Sequence, residues 1–95
     1  MYARLITFKA DSGKRPEVEV LADQVFGFMK SLQGFISVHF IISGDENEYG
    51  SFSLWESRDH AEDAGEAIRS EISGKIQNLS PQPPKVEIYE VYKPG

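Results

Sequence analysis

The sequence predicts an α+β domain whose elements run strand, helix, strand, strand, helix, strand. Three observations carry this. Four short runs rich in β-branched and aromatic residues are bounded by turn residues, two longer stretches place apolar residues at steps of three and four, and 95 residues give room for one hydrophobic core. Residues 1–95 are accordingly read as a single domain.

The first strand is Tyr2 to Lys9, closed by the turn residues Asp11-Ser12-Gly13. Pro16 suits the first turn of a helix, and Val18, Leu21, Ala22, Val25, Met29 and Leu32 then form an apolar stripe that ends near Gly34. Phe35 to Ile42 and Tyr49 to Glu56 are strand-like runs joined by the acidic turn Ser43-Gly44-Asp45-Glu46-Asn47-Glu48, the pattern of a β-hairpin. Asp59 stands three residues before Glu62, a capping-box spacing, and opens a helix with the inner stripe Ala61, Ala64, Gly65, Ile68, Ile72 and Ile76. Ser80-Pro81-Gln82-Pro83-Pro84 is a stiff extended connection, after which Val86 to Tyr92 alternates as the last strand.

This order closes most simply as a ferredoxin-like βαββαβ fold with a four-stranded antiparallel sheet. Two helices cover one face of such a sheet, so the other face is either polar and solvated or packed on a partner. With Ser43 set opposite Tyr49, parity places Phe35, Ser37, His39, Ile41, Ser51, Ser53 and Trp55 on one face and Ile36, Val38, Phe40, Ile42, Phe52 and Leu54 on the other. Neither set reads as a water-facing surface, and a second copy of the chain is the simplest cover. A homodimer is therefore expected.

Composition narrows the function. Fifteen acidic against ten basic residues give a net charge of −5 without any basic run, which argues against nucleic acid as a partner. No apolar stretch has the ~20 residues needed to cross a bilayer and no signal-peptide layout is present, so no membrane partner and a cytoplasmic location are expected. The chain has no cysteine, which removes disulfides and thiolate chemistry. The acidic turn is too short for a calcium loop, and two histidines without carboxylates at ligand spacing give no metal site. Phosphate-cradling glycine loops and a serine nucleophile elbow are absent.

Trp55 reads either as the wall of a pocket for a flat apolar or aromatic molecule or as a core aromatic. Ser51 and Ser53 on its strand, with Ala64 and Gly65 on the second helix, are small. They either leave a substrate-sized space or let the helix sit closer to the sheet. His39 is the mid-strand histidine; it is the candidate general base, against the plainer reading of a packing or interface residue. His60, at the start of a helix, reads as exposed, and Tyr2, Arg4, Tyr49, Tyr89 and Tyr92 read as interface and rim residues that can donate to a ligand oxygen.

The Gly34-Phe35 strand start, the Ser53-Leu54-Trp55-Glu56-Ser57 strand end leading into an alanine-bearing helix, and the late Pro83-Pro84-Lys85-Val86 resemble the antibiotic biosynthesis monooxygenase family of the dimeric α+β-barrel superfamily. The resemblance implies two subunits with facing sheets and, in each, a pocket between sheet and helices. It also implies oxidation of electron-rich aromatic compounds by O₂ with no cofactor, since a deprotonated phenol or anthrone can itself give an electron to oxygen while the protein stabilises the anion and excludes water. Trp55 matches the family's strand-ending tryptophan, whereas Ser51 and Ala61 stand where its best-known enzymes carry an asparagine and a tyrosine. The haem-degrading branch needs a histidine inside the second helix, and none lies between Ala61 and Ile76. The functional expectation is a cofactor-independent monooxygenase with substrate against Trp55. The alternative is a non-catalytic ligand-binding or structural module.

Overall fold

The computed structural model describes residues 1–80 and 82–94, with Ser73 by its backbone alone, and carries the six expected elements in the expected order. These are β1 (Tyr2–Lys9), α1 (Arg15–Met29), β2 (Phe35–Ile42), β3 (Glu48–Trp55), α2 (Arg58–Leu79) and β4 (Lys85–Glu90). Pro81, within the predicted connection, lies outside the described residues. Among the described residues no helix is long and apolar enough to cross a membrane.

Helix α1 starts with proline in its first turn and buries Val18, Leu21, Val25 and Met29, the apolar stripe read from the sequence. It stops five residues before Gly34, because the Leu32 amide donates to the Met29 carbonyl and tightens the chain into a turn. Gly34, at φ +79°, then swings the chain into β2, and a Cβ there would run into the His60 ring.

Helix α2 begins two residues earlier than the Asp59–Glu62 spacing suggested. Ser57 is its N-cap: the Ser57 hydroxyl accepts from the His60 amide at 3.1 Å and lies 2.9 Å from His60 Nδ1. Glu62 instead accepts from Arg58 Nε on the helix surface. His60 is consequently half-buried rather than exposed. The predicted inner stripe of Ala61, Ala64, Gly65, Ile68, Ile72 and Ile76 is buried throughout.

The strands form one antiparallel sheet in the order β2-β3-β1-β4, which is the ferredoxin-like arrangement. Both helices lie on the face that carries Trp55, where Leu21, Val25, Met29, Ala61, Ala64, Ile68, Ile72 and Ile76 build the core. Along β1 and β3 this face holds Arg4 opposite Ser53, Ile6 opposite Ser51 and Phe8 opposite Tyr49.

The facing of β2 differs from the parity assignment. Ser43 pairs with Glu48, not Tyr49, since the Ser43 amide donates to the Glu48 carbonyl at 2.8 Å and Asp45 closes the tip by accepting from the Ser43 hydroxyl and the Asn47 amide. One residue of register reverses every side chain. Val38, Phe40 and Ile42 therefore join Ser53, Ser51 and Tyr49 on the helix side, while His39 pairs with Phe52 on the other face. A bulge between Phe35 and Ser37 restores Phe35 to its place opposite Trp55.

Among the described residues, no element covers the opposite face. There Phe52 (37 %), Ile41 (42 %) and Tyr89 (46 %) are exposed among half-buried Leu5 and Leu54, a mainly apolar surface with His39 in its midst.

Candidate functional site

The space around Trp55 is filled. The indole is 0 % exposed, its Nε1 donates to the Ser53 hydroxyl at 2.9 Å, and that hydroxyl donates to the Arg4 carbonyl at 3.3 Å. Phe35 meets the indole edge-on with ring centroids 5.6 Å apart, and Ala61 and Ala64 close over it from α2. Ser53, Trp55 and Ala64 thus belong to packed core and line neither of the two clefts described below. The small residues of α2 bring helix and sheet together, which is the second of the two readings their sizes allowed. Gly65 leaves no vacant volume either, because a Cβ there would lie 3.0 Å from Nε of Arg4.

The open volume lies further along the same layer. A narrow apolar cleft of ≈ 90 Å³ runs between the sheet and both helices, bounded by Ile6, Leu21, Val25, Phe40, Tyr49 and Ile72, with Ser51 at its floor. It adjoins a larger cleft of ≈ 500 Å³ between α2, β1, β4 and the segment leading into β4. Arg4, Ile6, Ile68, Ile72 and Ile76 line both. The larger volume lies within the range of about 300–1,000 Å³ usual for small-molecule sites. Ile68, Ile72 and Ile76, on successive turns of α2, form the helix side of both clefts.

Two polar groups in these clefts lack partners among the described residues. The Tyr49 hydroxyl is buried without a hydrogen bond, its ring stacked on Phe8 at 6.0 Å. Arg4 is 4 % exposed, and its guanidinium makes neither a hydrogen bond nor an ion pair among the described residues, whose ion pairs involve Arg15, Arg58 and Lys85. Burial, and after it the positive charge of Arg69, hold Arg4 below its ordinary pKa. A guanidinium nevertheless stays charged in a protein. Arg4 and Tyr49 are therefore interior residues and not the rim residues that the sequence suggested; Tyr89 and Tyr92 are exposed.

Of the sequence-derived site residues, then, Ser51 lines a cleft, Ser53, Trp55, Ala64 and Gly65 surround or abut packed core, and His39 stands on the uncovered face of the sheet. The structure does not bring His39 near Trp55. No group of three or more His, Cys, Asp or Glu side chains that could hold a metal occurs among the described residues. Arg4 was legible as a cleft residue only through its alternation with Ile6 and Phe8, which puts a charge on the strand face that carries the core.

Comparisons with known proteins agree with this architecture. The family model described as antibiotic biosynthesis monooxygenase matches residues 1–67. Rv0793 from Mycobacterium tuberculosis is similar in structure at a TM-score of 0.81 with 18% identity, over 98% of this chain and 96% of that one. The cofactor-independent oxygenase SnoaB from Streptomyces nogalater superimposes at 0.80 with 16% identity, covering 98% and 94%. The monooxygenase from the gene ActVA-Orf6 of Streptomyces coelicolor, in complex with the ligand nanaomycin D, does so at 0.75 with 19% identity, covering 99% and 92%. At these identities the likeness concerns the fold. No curated protein matches the sequence significantly.

Proposed function

Because the chain belongs to the antibiotic biosynthesis monooxygenase family, we propose that it is a cofactor-independent monooxygenase of a small electron-rich aromatic compound bound between α2 and the sheet. The observation that carries this reading is the open, isoleucine-walled layer around Ile6, Ile68 and Ile72, with a substrate-sized volume of ≈ 500 Å³ on one side of it. Apolar walls favour an aromatic body and exclude water from a reactive anion. The substrate anion is itself the reductant of O₂, and the cation at Arg4 favours the deprotonated form electrostatically.

Trp55 serves this site as a structural anchor and not as a wall. Its own hydrogen bond to Ser53, which in turn donates to the Arg4 carbonyl, fixes the strand that carries Arg4. Each protomer pairs with a second copy through the uncovered sheet face of Leu5, Ile41, Phe52, Leu54 and Tyr89, giving a dimeric α+β barrel with His39 at the contact. The apolar character of that face supports the pairing. Sedimentation at micromolar concentration is expected to give twice the 10.7 kDa chain mass; a stable monomer overturns the pairing.

Oxygen uptake by metal-free protein with a panel of anthrones and hydroquinones tests the activity. Acceleration above spontaneous oxidation is expected, and Ile72→Trp, which fills the cleft, should remove at least nine-tenths of it while the circular dichroism spectrum is kept. No acceleration with any member of the panel sinks the oxygenase reading. One observation favours a second reading, a non-catalytic binding module: among the described residues, the lining of the larger cleft includes no histidine, carboxylate or tyrosine that could take a proton. Saturable binding of the same compounds without turnover would establish it.

A further inference from the structure

We propose that Arg4, assisted by Arg69, forms an anion subsite in the larger cleft, and that the molecule bound there is a small, mostly apolar one carrying a single carboxylate. The proposal deepens the preceding section and rests on that cleft being the ligand site.

Arg4 occupies a helix-facing position of a central strand, between positions that hold Tyr2 and Ile6. An arginine with so little exposure ordinarily has a carboxylate beside it, because a guanidinium drawn away from water is costly unless a partner offsets the loss. The described residues supply none. The larger cleft draws its polar lining from Arg4, Arg69, Gln77, Ser80 and Gln82, and no Asp or Glu touches it, in a chain where acidic residues outnumber basic ones fifteen to ten. The Ser80 hydroxyl is already spent on the Gln82 carbonyl at 2.9 Å. Two cations thus share an acid-free pocket in an otherwise acidic molecule. Gly65 contributes by leaving the guanidinium room against α2, where a methyl group would press on Nε at 3.0 Å. A charge that the fold leaves uncompensated, facing a cavity, is matched by an anion arriving with the ligand.

The surroundings select the kind of anion. A guanidinium presents a planar fork that pairs with a carboxylate through two parallel hydrogen bonds. Ile6, Ile68, Ile72, Ile76 and Val86 form much of the rest of the cavity wall and suit an apolar ring or chain. A phosphate or sulfate is best held where a helix offers its free N-terminal amides. The part of α2 that lines this cleft is Ile68 to Gln77, its middle and C-terminal half, where the helix dipole disfavours a multiply charged anion.

Titration of ¹⁵N-labelled full-length protein with 1-naphthoate, its neutral isostere 1-naphthamide and 1-naphthyl phosphate tests the proposal. Naphthoate is expected to bind at least tenfold more tightly than naphthamide, to shift the Arg4 Nε–Hε resonance and the amides of Ile68 to Gln77, and to raise Tm. In Arg4→Met the naphthoate preference should fall to within twofold while naphthamide still binds, and unliganded Tm should equal or exceed that of the parent, since a buried unpaired charge has been removed. Arg69→Gln, at an exposed position, should cost two- to fivefold in naphthoate affinity with no change in fold. Equal affinity for naphthoate and naphthamide in the parent protein, or shifts confined to the uncovered sheet face, would overturn the subsite. Tighter binding of naphthyl phosphate than of naphthoate would overturn the carboxylate assignment. If Arg4→Met does not fold, the parent's naphthoate-to-naphthamide ratio and the Arg4 side-chain shift still decide. An Arg4-dependent naphthoate preference without oxygen uptake on any substrate would retain the subsite and reject the oxygenase. Uptake on neutral anthrones without any naphthoate preference would do the reverse.

Discussion

Strand β3 has two ends that differ in how their polar atoms are treated. At one end Trp55 and Ser53 are buried and partnered, in a chain of hydrogen bonds that finishes on the Arg4 carbonyl, and neither cleft reaches them. Six residues away, about 20 Å along the strand, Tyr49 is equally buried, yet its hydroxyl has no partner and the packing opens into a cleft. The two ends contain similar residue types, an aromatic with a polar tip and a nearby serine. What separates them is satisfaction. Buried polar groups with partners define structure; the one without, at Tyr49, marks the end where the packing opens.

Replacing Trp55 with alanine breaks the comparison most severely. It should remove about 3–5 kcal/mol of stability, the usual cost of deleting a large core aromatic, measured by urea denaturation; a loss below about 1 kcal/mol would mean that this end is not the packed one. At the other end the sign reverses. Tyr49→Phe should raise stability by about 1 kcal/mol, because an unpaired buried hydroxyl is removed and the Phe8 stack is retained. A destabilised Tyr49→Phe protein would show that the hydroxyl has a partner in solution.

Ser57→Ala sharpens the account of the Trp55 end, where α2 starts. Loss of its cap to the His60 amide should cost about 1 kcal/mol. Smallest is the effect of pH at the hairpin tip beside Tyr49. The hydrogen bond from the Ser43 hydroxyl, followed by that from the Asn47 amide, holds the Asp45 carboxyl below its ordinary pKa. A depressed native pKa gives stability that is present above the unfolded value and is lost as pH falls through the native one. Protection of the Asn47 amide, measured against its intrinsic exchange rate at each pH, should therefore fall in that acidic window, and Asp45→Asn should abolish the dependence.

Element order and the inner stripe of α2 were legible because periodicity and turn residues report them directly, as with Ile68, Ile72 and Ile76 on one helical face. The facing of β2 was not. It depends on whether the hairpin closes Ser43 on Glu48 or on Tyr49, and that is settled by where the Asp45 side chain finds donors, a difference of one residue that composition does not encode. His39 was consequently placed on the wrong side of the sheet. The small stripe of Ala61, Ala64 and Gly65 was ambiguous for another reason: residue size states how much space a side chain leaves, not which neighbour takes it, and here α2 itself and the Arg4 side chain do. Family resemblance marked Trp55 as a pocket wall, whereas the indole is packed in the core and the open space lies further along the strand.

The bulge after Phe35 gives β2 one residue of slack. Counted from the hairpin tip, the regular pairing would set Ile36 opposite Trp55 and turn Phe35 outward; the spare residue absorbs that mismatch, as an expansion joint does between two rigid spans. The hairpin end and the aromatic end are thereby uncoupled in length. A chain shortened by Ile36 alone would run straight through the joint and keep the same lining on both faces, so this is the point at which the strand tolerates a deletion that anywhere nearer the hairpin tip would exchange its inner and outer surfaces.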